Sequence, residues 1–294
     1  MRRYVLLLVI ILVLGGESLL GKETSQVFIL SPSLDYFPAF LEVHLRRLLS
    51  PSQVHLITLS HLEELPKDFS REGVSLIVFW GEGKYFSSIW SQIPRDREIL
   101  LLWEEEERIE PPLGIPYSKI RIEGKSAIEA LKEEVIEKLF PDNNFTIWSR
   151  GEVALSLKRE LDEEFSSHFR EIGENDKEAL KQLISKKEKS LIIAGNAEAG
   201  KQLIDEFSEV ESPPPLVVLE ASPEMLLALL QGKIKAVVDF KPSQLAQEIV
   251  NLIDCFGAHK PIPEFIILYP RLILPDNIKE ADGYEVISRC LMCQ

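Results

Sequence analysis

The stretch Leu191-Ile-Ile-Ala-Gly-Asn-Ala-Glu-Ala-Gly200-Lys201 is one β-turn-α unit in miniature. Its first four residues are aliphatic without polar alternation, as in a strand covered on both faces, and such strands belong to parallel sheets flanked by helices. Gly195-Asn196 breaks the run, and Ala197–Phe207 continues at helical spacing. Outward from this unit the same alternation recurs. Short runs rich in Val, Ile and Leu mark strands at Val27–Leu30, Val54–Leu59, Leu76–Trp80, Ile99–Trp103, Phe145–Trp148, Leu216–Leu219, Ala236–Asp239 and Phe265–Leu268. Between them, Phe40–Leu49, Ser126–Phe140, Glu152–Phe165, Lys177–Lys187, Pro223–Leu230 and Pro242–Phe256 carry the 3.6-residue period of helices. Pro223 and Pro242 stand in first turns, where a missing N–H does no harm, and Asn175 with Glu178 forms a capping arrangement. The class is α/β with doubly wound parallel sheets and right-handed crossovers. Nine or more strands exceed what one sheet of this size carries, so two lobes are expected. Glu110-Pro-Pro-Leu-Gly-Ile-Pro116, continuing to about Gly124, reads as a crossing between them, whereas Ser208–Pro215 reads as a surface loop.

At the other end of the chain, Met1-Arg2-Arg3 precedes an apolar run from Tyr4 to Leu14, about the length of a signal-peptide core and short for a membrane span. Gly16-Glu17-Ser18 offers small residues for cleavage, giving a signal peptide over residues 1–18; an uncleaved anchor is the alternative, since Leu19-Leu20 is also apolar. Either reading places the body of the chain in the periplasm or outside the cell. A formal charge of −14 opposes binding to a phosphate backbone, so nucleic acid is not an expected partner. Cys255, Cys290 and Cys293 are too few for a disulfide scaffold, and the terminal CxxC has no second pair to complete a zinc site. The five histidines share no metal-binding spacing. Neither a metal nor a cofactor is expected.

Gly195 to Lys201 also matches the GxxxxGK part of a phosphate-binding loop, and Ala236-Val-Val-Asp239 imitates the later strand with its aspartate. Gln202 stands where Ser or Thr should ligate Mg²⁺, Glu198 would put a carboxylate into an anion cradle, and an exported chain meets no ATP. Glu104–Glu107 follows the strand ending at Trp103; Glu105–Glu107 reads as a solvated loop, while Trp103 and Glu104 stand at the strand end where α/β sheets bind ligands. Asp35-Tyr36-Phe37-Pro38 gathers aromatic residues beyond the first strand. A GxSxG elbow and a GxGxxG turn are absent from the sequence, and no enzymatic activity is expected.

Placed in order, these pieces resemble the type 1 periplasmic binding proteins, the ribose- and galactose-type sugar-binding family that shares its fold with lactose-repressor-like ligand domains. Ser31–Pro38 is similar to the first ligand loop, Gly73-Val-Ser-Leu-Ile-Val-Phe79 to an early strand, and Ala194–Gly200 to an Asn-bearing turn. Leu230-Gln-Gly-Lys-Ile-Lys-Ala-Val-Val-Asp-Phe-Lys-Pro242, with Ile273–Ile278, resembles the closing stretch. The resemblance implies two lobes joined by three crossings: lobe one over 26–123 with 242–262 returning to it, lobe two over 124–241, and a final crossing and tail over 263–294. It implies ligand contacts from Asp35, Tyr36, Phe37, Trp103, Glu104, Asn196, Glu220, and Asp239 or Phe240, with Arg159 matching the lobe-two arginine. The sugar-gripping Asp-Arg pair is Trp103-Glu104 here and the hinge Gln is replaced by Asp239-Phe240, departures from a simple pentose or hexose site. The implied function is capture of a small polar solute between the lobes for an ABC-type importer, with a membrane permease as partner. The alternative is presentation of the closed form to a sensor kinase or chemoreceptor.

Overall fold

The computed structural model describes residues 26–31, 36–49, 53–58, 75–79, 98–103, 116–151, 155–165, 169–172 and 189–292. The leader, Asp35, Glu104 and the acidic run after it, the helix expected over Lys177–Lys187 with its cap, and Cys293 lie outside the described residues. The chain divides into two compact units, Met1–Arg121 with Pro242–Ile267, and Ile122–Lys241 with Leu268–Gln294. It therefore passes three times from one unit to the other.

Unit one is built on a sheet of β1 (Gln26–Ser31), β2 (Val54–Thr58), β3 (Ser75–Phe79), β4 (Glu98–Trp103), β5 (Tyr117–Ile122) and β11 (Phe265–Leu268), in the order β2-β1-β3-β4-β5-β11. β1 lies parallel to both neighbours, with Val27 opposite Val54 on one side and Leu76 on the other. Its successive side chains Val27, Phe28, Ile29 and Leu30 are all buried, so both faces of the strand are covered. That is the physical origin of the unbroken aliphatic run. Helix α1 (Tyr36–Leu48) turns Leu41 and Leu45 inward, and α7 (Pro242–Gly257), arriving from the far end of the sequence, packs against it and buries a stripe that includes Leu245, Ile249 and Leu252.

Unit two repeats the plan. Its sheet contains β6 (Thr146–Arg150), β7 (Phe169–Ile172), β8 (Ser190–Ala194), β9 (Leu216–Val218), β10 (Ala236–Asp239) and β12 (Arg271–Ile273), in the order β7-β6-β8-β9-β10-β12. The pairings are parallel except the last, in which β12 runs antiparallel to β10. Among the described residues the unit also holds helices α2 (Lys125–Leu131), α3 (Glu137–Leu139), α4 (Leu155–Phe165), α5 (Ala197–Glu206), α6 (Pro223–Leu230) and α8 (Tyr284–Met292), with a π-helical turn (Lys132–Ile136) joining α2 to α3 and a 3-10 turn over Pro275–Glu280. Every residue of β8 is buried. Ser222 caps α6 by accepting from the Met225 amide at 3.1 Å, and Pro223 occupies the first turn as its ring requires.

Three strands differ from the sequence reading. Tyr117–Ile122, read as part of a crossing, is the fifth strand of unit one; Ser118, Ile120 and Ile122 face inward and alternate with more exposed residues. Lys119 and Arg121 cover the ring of Phe265 on the neighbouring strand, so a polar-looking face is packed. β7 and β12 are short edge strands whose Arg and Glu residues conceal the pattern. The segment over 263–294, expected as a crossing and tail, is richer than that: Ile273, Ile278, Ala281 and Ile287 join Leu226, Leu229 and Val237 in the core of unit two. The first helix begins at Tyr36, ahead of the expected Phe40, so Tyr36-Phe37-Pro38 is its opening turn.

Candidate functional site

In doubly wound sheets ligands gather beyond the carboxyl ends of the strands where the strand order reverses. Those points fall between β1 and β3 in unit one and between β6 and β8 in unit two. At the second, the Gly195 amide donates to the Arg150 carbonyl at 2.8 Å, drawing the loops after β6 and β8 together. Gly151 sits at φ +84°, and a Cβ there would stand 2.8 Å from that of Ala199, so the turn after β6 accepts only glycine. The Leu219 amide reaches the Ala194 carbonyl at 2.8 Å and brings the end of β9 into the same group.

Two side chains expected to meet solute converge here. Asn196 caps α5 by accepting from the Ala199 amide through Oδ1 at 2.8 Å, and Glu220 accepts from the Ala197 amide through Oε2 at 2.8 Å. The first turn of α5 thus already holds a carboxylate of the chain itself. This accounts for the false phosphate loop in physical terms, because the N–H groups that would cradle a phosphate are engaged from within. Gly200 has a packing duty too: a Cβ there would lie 2.9 Å from both Met225 Sδ and Val218 Cγ2. Lys201 is 53% exposed, with Glu224 at 3.7 Å.

Arg150 ends β6 and is buried, and its guanidinium meets the Glu206 carboxylate through Nη1 at 2.5 Å and Nη2 at 3.3 Å. The apolar run predicts a strand ending at Trp148, whereas β6 continues to Arg150, with Gly151 in the turn beyond it. The signal available was Ser149-Arg150-Gly151, polar residues and a glycine directly after an apolar run.

The other expected contacts are placed differently. Asp239 ends β10 and Phe240 follows it, and both are buried; both Asp239 oxygens accept backbone amides, from Lys241 at 2.9 Å and Asp282 at 3.1 Å. Burial first and the Asp282 charge second push its carboxyl above the usual carboxylate range, against the opposing pull of the two amides and Arg271. Arg159 is exposed on α4. In unit one, Tyr36 opens α1 and Trp103 ends β4, so both stand at carboxyl ends of strands or directly beyond them, while Phe37 is buried at 5% exposure. Among the described residues no group of three or more His, Cys, Asp or Glu is placed to hold a metal, and no helix is long and apolar enough to cross a membrane.

Sequence comparison finds no matching family model and no matching curated protein. Structural comparison is different. A Caulobacter myo-inositol-binding protein, solved with myo-inositol bound, superposes with a TM-score of 0.64 at 11% identity, over 90% of this chain and 98% of its own. The chain has the type 1 periplasmic-binding-protein fold. An ABC-transporter solute-binding protein from Burkholderia graminis in complex with D-arabinose gives a TM-score of 0.64 at 14% identity, over 88% and 97% of the two chains. One from Bacillus halodurans with bound myo-inositol gives 0.63 at 15% identity, over 91% and 99%. At such identities the likeness is one of fold.

Proposed function

We propose that this chain is an extracytoplasmic solute-binding protein that captures a small, hydroxyl-rich solute without transforming it and delivers it to an ABC-type membrane importer. The observation that carries the reading is the repeated sheet joined by three passages of the chain, an architecture shared over about nine-tenths of its length with proteins solved with inositols and sugars bound. Ligand contacts come from Tyr36 and Trp103 in unit one and from Asn196, Glu220 and Arg159 in unit two. Aromatic rings supply apolar area, while the amide, carboxylate and guanidinium pair with ligand hydroxyls. Asn196 and Glu220 each accept an amide of the first turn of α5 and are partly exposed, which supports a place for both at the turn where solute is met. The basic leader and its apolar core support export to the periplasm or cell exterior, with a permease as the partner of the loaded form.

Thermal denaturation against a panel of inositols, pentoses, hexoses, nucleosides and amino acids tests this. A true ligand at one hundred times its dissociation constant adds about 2.7 kcal/mol to stability. The reading expects a saturable rise in melting temperature with polyols or sugars. No rise with any of them at millimolar concentration refutes it.

A further inference from the structure

Lys241 is the last residue of unit two before the chain crosses to unit one, and it adopts φ +55°. For a residue with a Cβ this region is disfavoured. It is disfavoured again by Pro242, which pushes the preceding residue toward extended backbone. Something must hold the turn, and Asp239, two residues earlier, is placed to do so. Its Oδ1 accepts from the Lys241 amide at 2.9 Å, its Oδ2 accepts from the Asp282 amide at 3.1 Å, and the side chain is 2% exposed. Asp282 lies in the C-terminal segment that returns to unit two through β12, whose Arg271 stands across from Asp239 in the ladder. The geometry points to a latch: the Asp239 carboxylate fixes the left-handed turn at Lys241, sets the direction in which the second crossing leaves unit two, and ties that turn to the C-terminal segment at Asp282.

The charges around the latch make it sensitive to pH. Arg271 on β12 brings Nη2 within 3.8 Å of Oδ2 but also donates to Glu280 at 3.1 Å, and its buried Nε makes no hydrogen bond. The Asp282 carboxylate opposes ionisation from the C-terminal side, and burial opposes it more. Asp239 is therefore ionised at a net cost, which suits a residue kept for conformation rather than for stability. Protonation puts a hydroxyl where an oxygen accepted an N–H, and because the proton can sit on either oxygen, both amides lose a charged acceptor. Among the described residues, Asp282 and Arg271 are the charged groups that act on it, and Glu280 acts through Arg271. The inference concerns the crossing and holds whatever solute is bound.

Amide hydrogen exchange on the full chain tests it, read as protection corrected for the intrinsic pH dependence of exchange. In local openings that break the two bonds but leave Asp239 buried, protection at Lys241 and Asp282 is expected to fall together as pH drops through the Asp239 titration, by about tenfold or more, since both bonds lose a charged acceptor, even as global stability rises over the same range. Leu219 and Leu226, bonded to the Ala194 and Ser222 carbonyls of the same unit, should keep theirs. In Asp239→Asn both latch amides should be less protected and no longer vary with pH. The wild-type profile stands alone if that variant fails to fold. Independent behaviour of the two amides, or loss at them only together with Leu219 and Leu226, would overturn the latch.

Discussion

Replacing Asn196 by Ala strips the Ala199 amide of its acceptor, and replacing Glu220 by Ala does the same to Ala197. Loss of an N-cap costs about 1 kcal/mol, within a range of roughly 0.5–2. Asn196 is half-buried and water reaches part of the vacated space, so about 1 kcal/mol is expected for Asn196→Ala. A hydrogen bond to a charged acceptor is worth about 1.5–3 kcal/mol. Glu220 is also half-buried, which puts Glu220→Ala near the lower end, at about 1.5 kcal/mol. The two groups serve one helix turn and should couple by at least about 0.5 kcal/mol in a double-mutant cycle. Urea unfolding without solute gives these numbers, read on the transition that includes α5. Asn196→Ser separates the two duties, because Ser caps about as well as Asn but cannot present the same amide to a solute. It should restore most of the stability while leaving solute affinity down by about tenfold. Alanine variants both within about 0.5 kcal/mol of wild type, the window of ordinary surface substitutions, would refute the assignment of both residues to the turn of α5.

Glu206→Ala leaves the buried Arg150 guanidinium without its carboxylate and should cost about 3 kcal/mol, whereas Arg150→Met with Glu206→Leu should recover most of it in the same unfolding assay. Lys201→Ala should change stability by under about 0.5 kcal/mol and leave solute binding alone, since the side chain is exposed and its contact with Glu224 is a surface pair; Mg²⁺-dependent ATP binding lost in this variant would contradict that. Asp239 has a folded pKa above that of the unfolded chain, so in the window between them the folded form keeps a proton the unfolded form has released, and stability falls as pH rises through it. Asp239→Asn should flatten that part of the stability curve, and an unchanged slope would assign it to another group.

Strands buried on both faces were legible in the sequence because burial writes itself as an unbroken aliphatic run, as in Val27–Leu30 and Leu191–Ala194. β5 was not, because its outward residues are Tyr117, Lys119 and Arg121, and the packing of two of them on Phe265 comes from a strand more than a hundred residues later. The C-terminal segment was hidden for a similar reason: Ile273, Ile278 and Ile287 are isolated apolar residues that form a core only once β12 pairs with β10. The turn after β8 was found as a motif, but its chemistry depends on Glu220, which arrives from another strand. Asp239 illustrates the same limit. Its position after an aliphatic run resembles a ligand carboxylate, and only the fold supplies the Lys241 and Asp282 amides that occupy it.

Calorimetric titration of the full chain with neutral polyols and sugars bears most directly on the claim that this protein captures a small hydroxyl-rich solute. The account expects one saturable binding event per chain for at least one of them, weakened about tenfold in Asn196→Ser. Heats of dilution alone across inositols, pentoses and hexoses, from a chain that unfolds cooperatively, would contradict it.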